Sequence, residues 1–120
     1  MRSIQSKLQR IKNALVDGLT DEGELLCEVH HYWRPRMSAP FVVWGEDGEA
    51  SSFNADDRKK EQVLTGYVDL YTRTEFDQLV DLIQDALYGL QDEPFTWRLD
   101  AVDFEDETNL IHYAWIWEAT

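Results

Sequence analysis

The amino-acid sequence predicts an α+β fold, in which two helices pack against a largely antiparallel sheet of about five strands, in the order α-β-β-β-α-β-β. Residues 3–16 and 74–90 carry apolar side chains at helical spacing, whereas most other stretches alternate as strands do. The stretch 109–118 would place four large side chains on one strand face: Ile111, Tyr113, Trp115 and Trp117. We expect these four to be largely buried and paired with a strand over residues 97–104.

The first part of the chain predicts a helix followed by a strand. Ile4, Leu8, Ile11 and Leu15 give the helix an apolar stripe, and Gly18 suits its C-cap. Residues 20–23 form a polar connector. Alternation then predicts a strand over residues 24–33 with apolar residues on both faces.

The middle of the chain predicts two further strands. The two prolines in residues 34–40 indicate a loop before a short strand at residues 41–44, and the glycines in 45–48 indicate a turn after it. Residues 49–62 are polar and aperiodic, which predicts a long excursion that is mobile in the free subunit and ordered in an assembly. Alternation over residues 64–72 predicts the third strand.

The last third predicts a helix and a hairpin. Thr74 begins the helix by capping the amide of Asp77, and Gly89 and Pro94 end it. Strands over residues 96–104 and 109–118 follow, joined by the acidic turn Glu105-Asp106-Glu107-Thr108.

Composition indicates a single domain over residues 1–120, because its 43% hydrophobic residues suffice for one core. The net charge of −13 argues against sequence-independent nucleic-acid binding, since phosphates repel such a surface. The single cysteine, Cys27, excludes an internal disulfide. The N-terminus lacks a signal-peptide pattern, and no apolar run is long enough for a membrane helix.

Charge is unevenly distributed along the chain. Arg2, Lys7, Arg10 and Lys12 precede the first acid, Asp17, and give that segment a charge of +4. The remainder has seven basic against 24 acidic residues, a net charge of −17. The basic helix is either a solvated face or a patch that meets acidic groups in the fold or on a neighbouring copy.

Catalytic and metal-binding signatures are missing from the sequence. His30 and His31 would point to opposite faces of a strand, so they cannot readily hold one metal, although His112 with one of them and a carboxylate would suffice in principle. Cys27 lies on an apolar strand face, as a buried inert thiol does. Carboxylates in residues 103–107 lack calcium-loop spacing and fit a solvated hairpin tip. We therefore expect neither an enzyme nor a cofactor.

Three groups of segments carry a resemblance to a known family. They are Pro40-Phe41-Val42-Val43-Trp44; residues 68–72, 75–77 and 83–87; and Trp97-Arg98-Leu99 followed by residues 109–118. Together with the preceding amphipathic helix, they resemble the small tail-terminator, or tail-completion, proteins of long-tailed non-contractile bacteriophages and prophages. Phe41 stands where the family pattern would have Tyr.

The resemblance implies a structural virion protein. Such proteins assemble as a hexameric ring on the head-proximal end of the tail tube, stop its growth and join it to the head-completion, or connector, protein. DNA would pass through the lumen without specific binding, and no membrane is involved. Assembly would take place in the bacterial cytoplasm, and the final location would be the tail–head junction of the virion.

Seven basic residues are the candidates for the subunit or tube interface: Arg2, Lys7, Arg10, Lys12, Arg58, Lys59 and Lys60. The alternative function is a small acidic soluble interaction module, such as an inhibitor or nucleic-acid mimic, that binds a basic partner protein as a monomer or dimer. Oligomeric state separates the two functions, because only the terminator predicts a ring of about six copies.

Overall fold

A computed structural model describes residues 3–34, 36, 38–50, 62–91 and 94–120. The elements in chain order are α1 (Ile4–Gly18), β1 (Thr20–Asp21), β2 (Glu24–Leu25), β3 (Glu28–His31), β4 (Phe41–Glu49), β5 (Leu64–Thr72), α2 (Gln78–Tyr88), β6 (Phe95–Glu105) and β7 (Leu110–Ala119). The predicted α+β class is confirmed, and a small β1–β2 sheet is added to the expected order.

The main sheet has five strands in the spatial order β3-β4-β5-β7-β6. Strands β4, β5, β7 and β6 pair antiparallel, whereas β3 pairs parallel with β4. Strands β3 and β6 therefore form the two edges of the sheet among the described residues. The predicted "largely antiparallel" sheet is confirmed.

Both helices pack on one face of this sheet and form one core with it. The helices contribute Leu8, Ile11, Leu15, Leu79, Ile83 and Leu87, and the sheet contributes Val42, Trp44, Val68, Leu70, Trp115 and Trp117. The helices approach closely at Gly18, where an added Cβ would lie only 2.8 Å from Cβ of Ala86. A side chain at position 18 would therefore push the helices apart.

Helix α1 starts close to the predicted residue, because Ser3 is its N-cap and the Ser3 hydroxyl accepts the amide of Ser6 at 3.1 Å. Its predicted end was wrong: Gly18 is the last helical residue and Leu19 is the C-cap. The close contact with α2 explains why position 18 is a glycine, and no turn or cap is needed to explain it.

The single strand predicted over residues 24–33 is two strands. Its first residues, β2, pair with β1 across Glu22 and Gly23, which have φ of 50° and 82°. Two positive φ values in succession are typical of a tight hairpin turn. The "polar connector" of residues 20–23 is therefore half of a small hairpin, and only β3 joins the main sheet.

The turn predicted at residues 45–48 is part of strand β4, which continues to Glu49 with a bulge between Glu46 and Gly48. Gly45 serves packing, since an added Cβ would lie 2.8 Å from the hydroxyl of Tyr67 and 2.9 Å from the ring of Tyr32. The predicted excursion over residues 49–62 falls mainly on residues 51–61, which lie outside the described residues.

Helix α2 begins later than predicted. Asp77, not Thr74, is its N-cap, and Asp77 Oδ1 accepts the amide of Leu79 at 2.9 Å. The other carboxylate oxygen of Asp77 accepts the hydroxyl of Thr72 at 2.6 Å. Thr74 instead donates its amide to the same Thr72 hydroxyl at 3.1 Å, so it belongs to the connection from β5.

Strand β7 pairs with β6 as predicted, and the register sets Trp115 opposite Leu99 and Trp117 opposite Trp97. Trp115 and Trp117 are buried as predicted, with exposed fractions of 0% and 1%. Ile111 and Tyr113 are only half-buried, so the burial prediction was too broad. Both lie toward the distal end of the β6–β7 hairpin, where neighbouring β6 residues are also exposed.

Candidate interaction surface

Three of the seven predicted interface residues lie within the described ranges, and four, Arg2, Arg58, Lys59 and Lys60, lie outside them. Lys7 is buried, with 4% of its surface exposed, and its Nζ donates to the carbonyl oxygen of Gln62 at 3.0 Å. For Lys7, the structure therefore excludes the first of the two alternatives left open by the sequence, a solvated position on the helix surface. Arg10 is half-buried, and Lys12 is exposed.

Lys7 and Arg10 contribute to a concavity at one end of the molecule, which we call the basic pocket. It has a volume of about 330 Å³ and is lined by Ser6, Lys7, Arg10 and Ile11 on one side and by Leu90, Pro94, Phe95, Ala119 and Thr120 on the other. The charged side chains lining it are basic, and its remaining walls are mostly apolar. Such a pocket suits an anionic group attached to an apolar one.

The opposite end of the β6–β7 hairpin has the opposite charge. We call residues 103–107 the acidic tip; it includes Asp103, Glu105, Asp106 and Glu107. Glu105 accepts the hydroxyl of Thr108 at 3.0 Å and lies 4.0 Å from Arg34. Asp106 and Glu107 are exposed, and we find no ion pair from either to another described residue.

Strand β6 links these two ends and is an edge strand of the main sheet. On the helix side it exposes Leu99, Val102 and Phe104, by 43%, 50% and 58%. Its ladder with β7 shifts register between Leu99 and Ala101, so Asp100 is an extra residue that forms a bulge. The strand thus combines an apolar face with an interrupted edge.

The sheet face without helices, the open face, carries an aromatic stack. Phe41 stacks on Tyr71 with ring centroids 5.0 Å apart, and Tyr71 stacks on His112 at 4.4 Å. The guanidinium of Arg34 lies 4.5 Å from the ring of Tyr71. Burial raises the pKa of Tyr71, and the negative charge of Asp69 adds to the increase, whereas Arg34 opposes it. The stack joins side chains of β4, β5 and β7, and the raised pKa favours the protonated Tyr71 phenol.

His112 also contacts Asp69, with Nε2 3.1 Å from Oδ1. Nε2 is nevertheless buried and forms no hydrogen bond of acceptable geometry with any described residue. We interpret the contact as an electrostatic one whose direction is unfavourable for a hydrogen bond. His112 is therefore a sheet histidine beside one carboxylate.

A second polar cluster surrounds Glu46 beside strand β3. His31 Nε2 lies 2.8 Å from Glu46 Oε1, and the His31 ring stacks between Tyr32 at 3.7 Å and Trp44 at 4.3 Å. Burial alone would raise the pKa of Glu46, but hydrogen bonds from Tyr32, its own backbone and His31 lower it overall. The hydrogen bond to Glu46 raises the pKa of Tyr32 to about 12.

The remaining histidines and Cys27 are placed by local contacts. His30 contacts Glu28 at 3.0 Å, whereas His31 contacts Glu46, so the adjacent histidines face different carboxylates. Cys27 is buried, and burial, with the negative charge of Asp77, raises its pKa to about 11. Within the described ranges, no three His, Cys, Asp or Glu residues group as metal ligands.

None of the helices in the described part of the chain is both long and apolar enough to cross a bilayer. A scan against protein-family models found no match, and a search of curated proteins found no significant match. Function is therefore inferred from the surfaces described above together with the resemblance of the sequence.

Proposed function

We propose that this protein is a structural subunit that forms a ring at the head-proximal end of a bacteriophage tail tube, ends tube growth and binds the head connector. The observation that carries the proposal is the pair of unlike surfaces at opposite ends of the β6–β7 hairpin. One end has the basic pocket, which includes Lys7, and the other has the acidic tip, which includes Glu107.

A ring needs a contact in which two different patches of each copy meet, because a self-complementary patch closes a dimer instead. The basic pocket and the acidic tip differ in charge and in shape, one concave and one projecting. Such a pair supports a ring better than it supports a symmetric dimer.

The open face supports the passage of DNA. By strand register it carries Glu28, Asp69, Asp103 and Glu118, partly balanced by Arg98. A ring with this face toward its channel would repel phosphate rather than bind it. The overall net charge of −13 acts in the same direction.

Tube capping tests the proposal directly. Tail tubes polymerised with and without the protein are compared by electron microscopy. Native mass spectrometry of the isolated caps gives the number of copies in each cap. We expect rings of about six copies and tubes of limited length. Tubes that elongate equally in both samples, with no protein at their ends, would exclude a terminator.

The alternative, an acidic module that binds a basic partner, is favoured by the exposed Asp106 and Glu107. It predicts a discrete complex of one or two copies with a basic protein and no ring. Light scattering of the free protein and of its complexes distinguishes the two, because a ring and a small complex differ severalfold in mass.

A further inference from the structure

We infer that the basic pocket receives the acidic tip of a second copy of this chain, so that copies associate head-to-tail. This inference deepens the proposed ring and rests on it for its biological setting. Its physical basis is a buried cation that forms no ion pair with a described carboxylate, at one end of the subunit, and exposed carboxylates beside an exposed phenylalanine at the other.

Lys7 supplies the first step. An ammonium group has three donors, and the one described partner of Lys7 Nζ is the carbonyl oxygen of Gln62, at 3.0 Å. No described carboxylate forms an ion pair with it. A buried cation is costly unless it is paired, so an anion that enters the pocket would stabilise the charge of Lys7.

The acidic tip supplies matching chemistry. Asp106 and Glu107 are exposed, and Phe104, two residues before Asp106, is 58% exposed. In the proposed contact the carboxylates approach the ammonium of Lys7, and Phe104 packs on the apolar walls formed by Leu90 and Phe95. The volume of about 330 Å³ falls within the usual range for ligand pockets, about 300–1,000 Å³.

Geometry requires the tip to come from another copy. Phe95, in the pocket, and Glu105, in the tip, are the first and last residues of β6. Eleven residues of extended strand span roughly 36 Å, so the two surfaces cannot meet within one subunit. The contact is therefore heterologous, and it generates a ring if the rotation between copies closes.

Two variants block the two sides separately. Ser6→Glu places a negative charge at the pocket, and it should keep α1 folded because glutamate three residues after the Ser3 cap completes a capping box. Asp106→Lys with Glu107→Lys reverses the charge of the tip. We expect each variant to weaken self-association, measured by analytical ultracentrifugation, roughly tenfold or more.

Matched controls change charge equally elsewhere. Gln5→Glu adds the same charge on the first turn of α1 outside the basic pocket, and Asp21→Lys with Glu24→Lys reverses two exposed charges on the small hairpin. Both controls should associate like the wild type. Unchanged association of the two blocking variants, or equal loss in the controls, would overturn the inference.

A mixture of the blocked variants gives the sharpest result. Each retains one intact surface, so the Ser6→Glu protein can still offer its tip to the pocket of the tip variant. The mixture should form a complex of one copy of each and grow no further. A symmetric contact predicts no such complex, and its absence would contradict head-to-tail binding.

Cross-linking captures the contact even when it is weak in solution. Ser6→Cys and Glu107→Cys together place thiols on the two surfaces, while the native Cys27 is buried. Oxidation, in solution and on tube ends, should give a ladder of linked copies, whereas either substitution alone cannot extend beyond a dimer. Capped tubes without a ladder would overturn this contact and leave the terminator function standing. Uncapped tubes with a ladder would support the contact and exclude the terminator function.

Discussion

The indole ring of Trp117 occupies the space that a side chain at position 66 would need. A Cβ added to Gly66 would overlap the Trp117 ring and the carbonyl oxygen of Gly45. Trp117 is held in this place by its own hydrogen bond, because its Nε1 donates to the carbonyl oxygen of Tyr67 at 3.2 Å. At this pair of positions, β5 therefore has a glycine without a side chain, and the indole of Trp117 on β7 fills the space beside it.

Gly66→Ala should destabilise the protein by about 1–3 kcal/mol, because an added methyl group forces Trp117 or the backbone of β4 to move. Denaturant unfolding measures the free energy of unfolding. Gly48→Ala is the matched control, since its nearest atom would be the Thr65 hydroxyl at 3.7 Å. Equal stability of both variants would show that the indole does not pack on position 66.

Trp115→Ala should lower the free energy of unfolding by about 3–5 kcal/mol, as truncation of a buried aromatic residue does. Its indole is fully buried, and its Nε1 donates to Gln84 of α2 at 3.2 Å. Trp33→Ala removes the same ring from a position that is 77% exposed, and it should change stability by no more than about 0.5 kcal/mol. A loss below about 1 kcal/mol for Trp115→Ala would place that residue on the surface.

Asp77→Ala should cost about 1–3 kcal/mol, because it removes the cap of α2 and the acceptor of the buried Thr72 hydroxyl. Thr74→Ala, at the position that the sequence predicts as the cap, should cost no more than about 0.5 kcal/mol. Thermal and denaturant unfolding report both. The reverse order of the two losses would restore Thr74 as the cap.

The Cys27 thiol predicts a pH dependence of stability. Burial, with Asp77, raises its pKa from 9.0 to about 11, so the folded chain binds more protons than the unfolded chain in this range. The contribution of Cys27 is fully present below pH 9.0 and is lost as the pH rises through about 11. The free energy of unfolding should therefore fall more steeply with pH in the wild type than in Cys27→Ala.

Thiol labelling provides an independent measure of the same group. At pH 8 the thiolate fraction of folded Cys27 should be about 100-fold smaller than that of the unfolded chain. Labelling should be correspondingly slow in buffer and fast in denaturant. Rapid labelling of the folded protein would contradict the burial of this side chain.

The alternating strands and the two helices could be predicted from sequence because their apolar periodicity reflects burial on one face. Strand β5 was predicted with the bounds it has, since its alternate residues point strictly into and out of the core. Boundaries were missed at glycines that serve packing. Gly18 has the sequence signature of a helix cap, but its small size allows the close approach of Ala86. Gly45 has the signature of a turn, but its small size leaves room for Tyr32 and Tyr67.

The candidate site was less accessible to sequence reasoning. The sequence grouped Lys7 with Arg2, Arg10 and Lys12 as one basic patch, although Lys7 lies four residues before the buried Ile11 and so borders the apolar face of α1. This spacing of four residues is the sequence pattern that could have predicted the burial of Lys7. The pocket itself joins residues near position 7 with residues near 95 and 119, and only the packing of α1 beside the ends of β6 and β7 brings them together.

The bulge at Asp100 affects how the unpaired edge of β6 can meet other strands. Stacking of strands from many chains needs an unbroken ladder of backbone groups, and an extra residue in mid-strand interrupts it. Arg98 and Asp100, paired at 3.1 Å on this edge, add charges that further oppose strand addition. The edge of β6 is therefore protected against pairing with a strand of another chain.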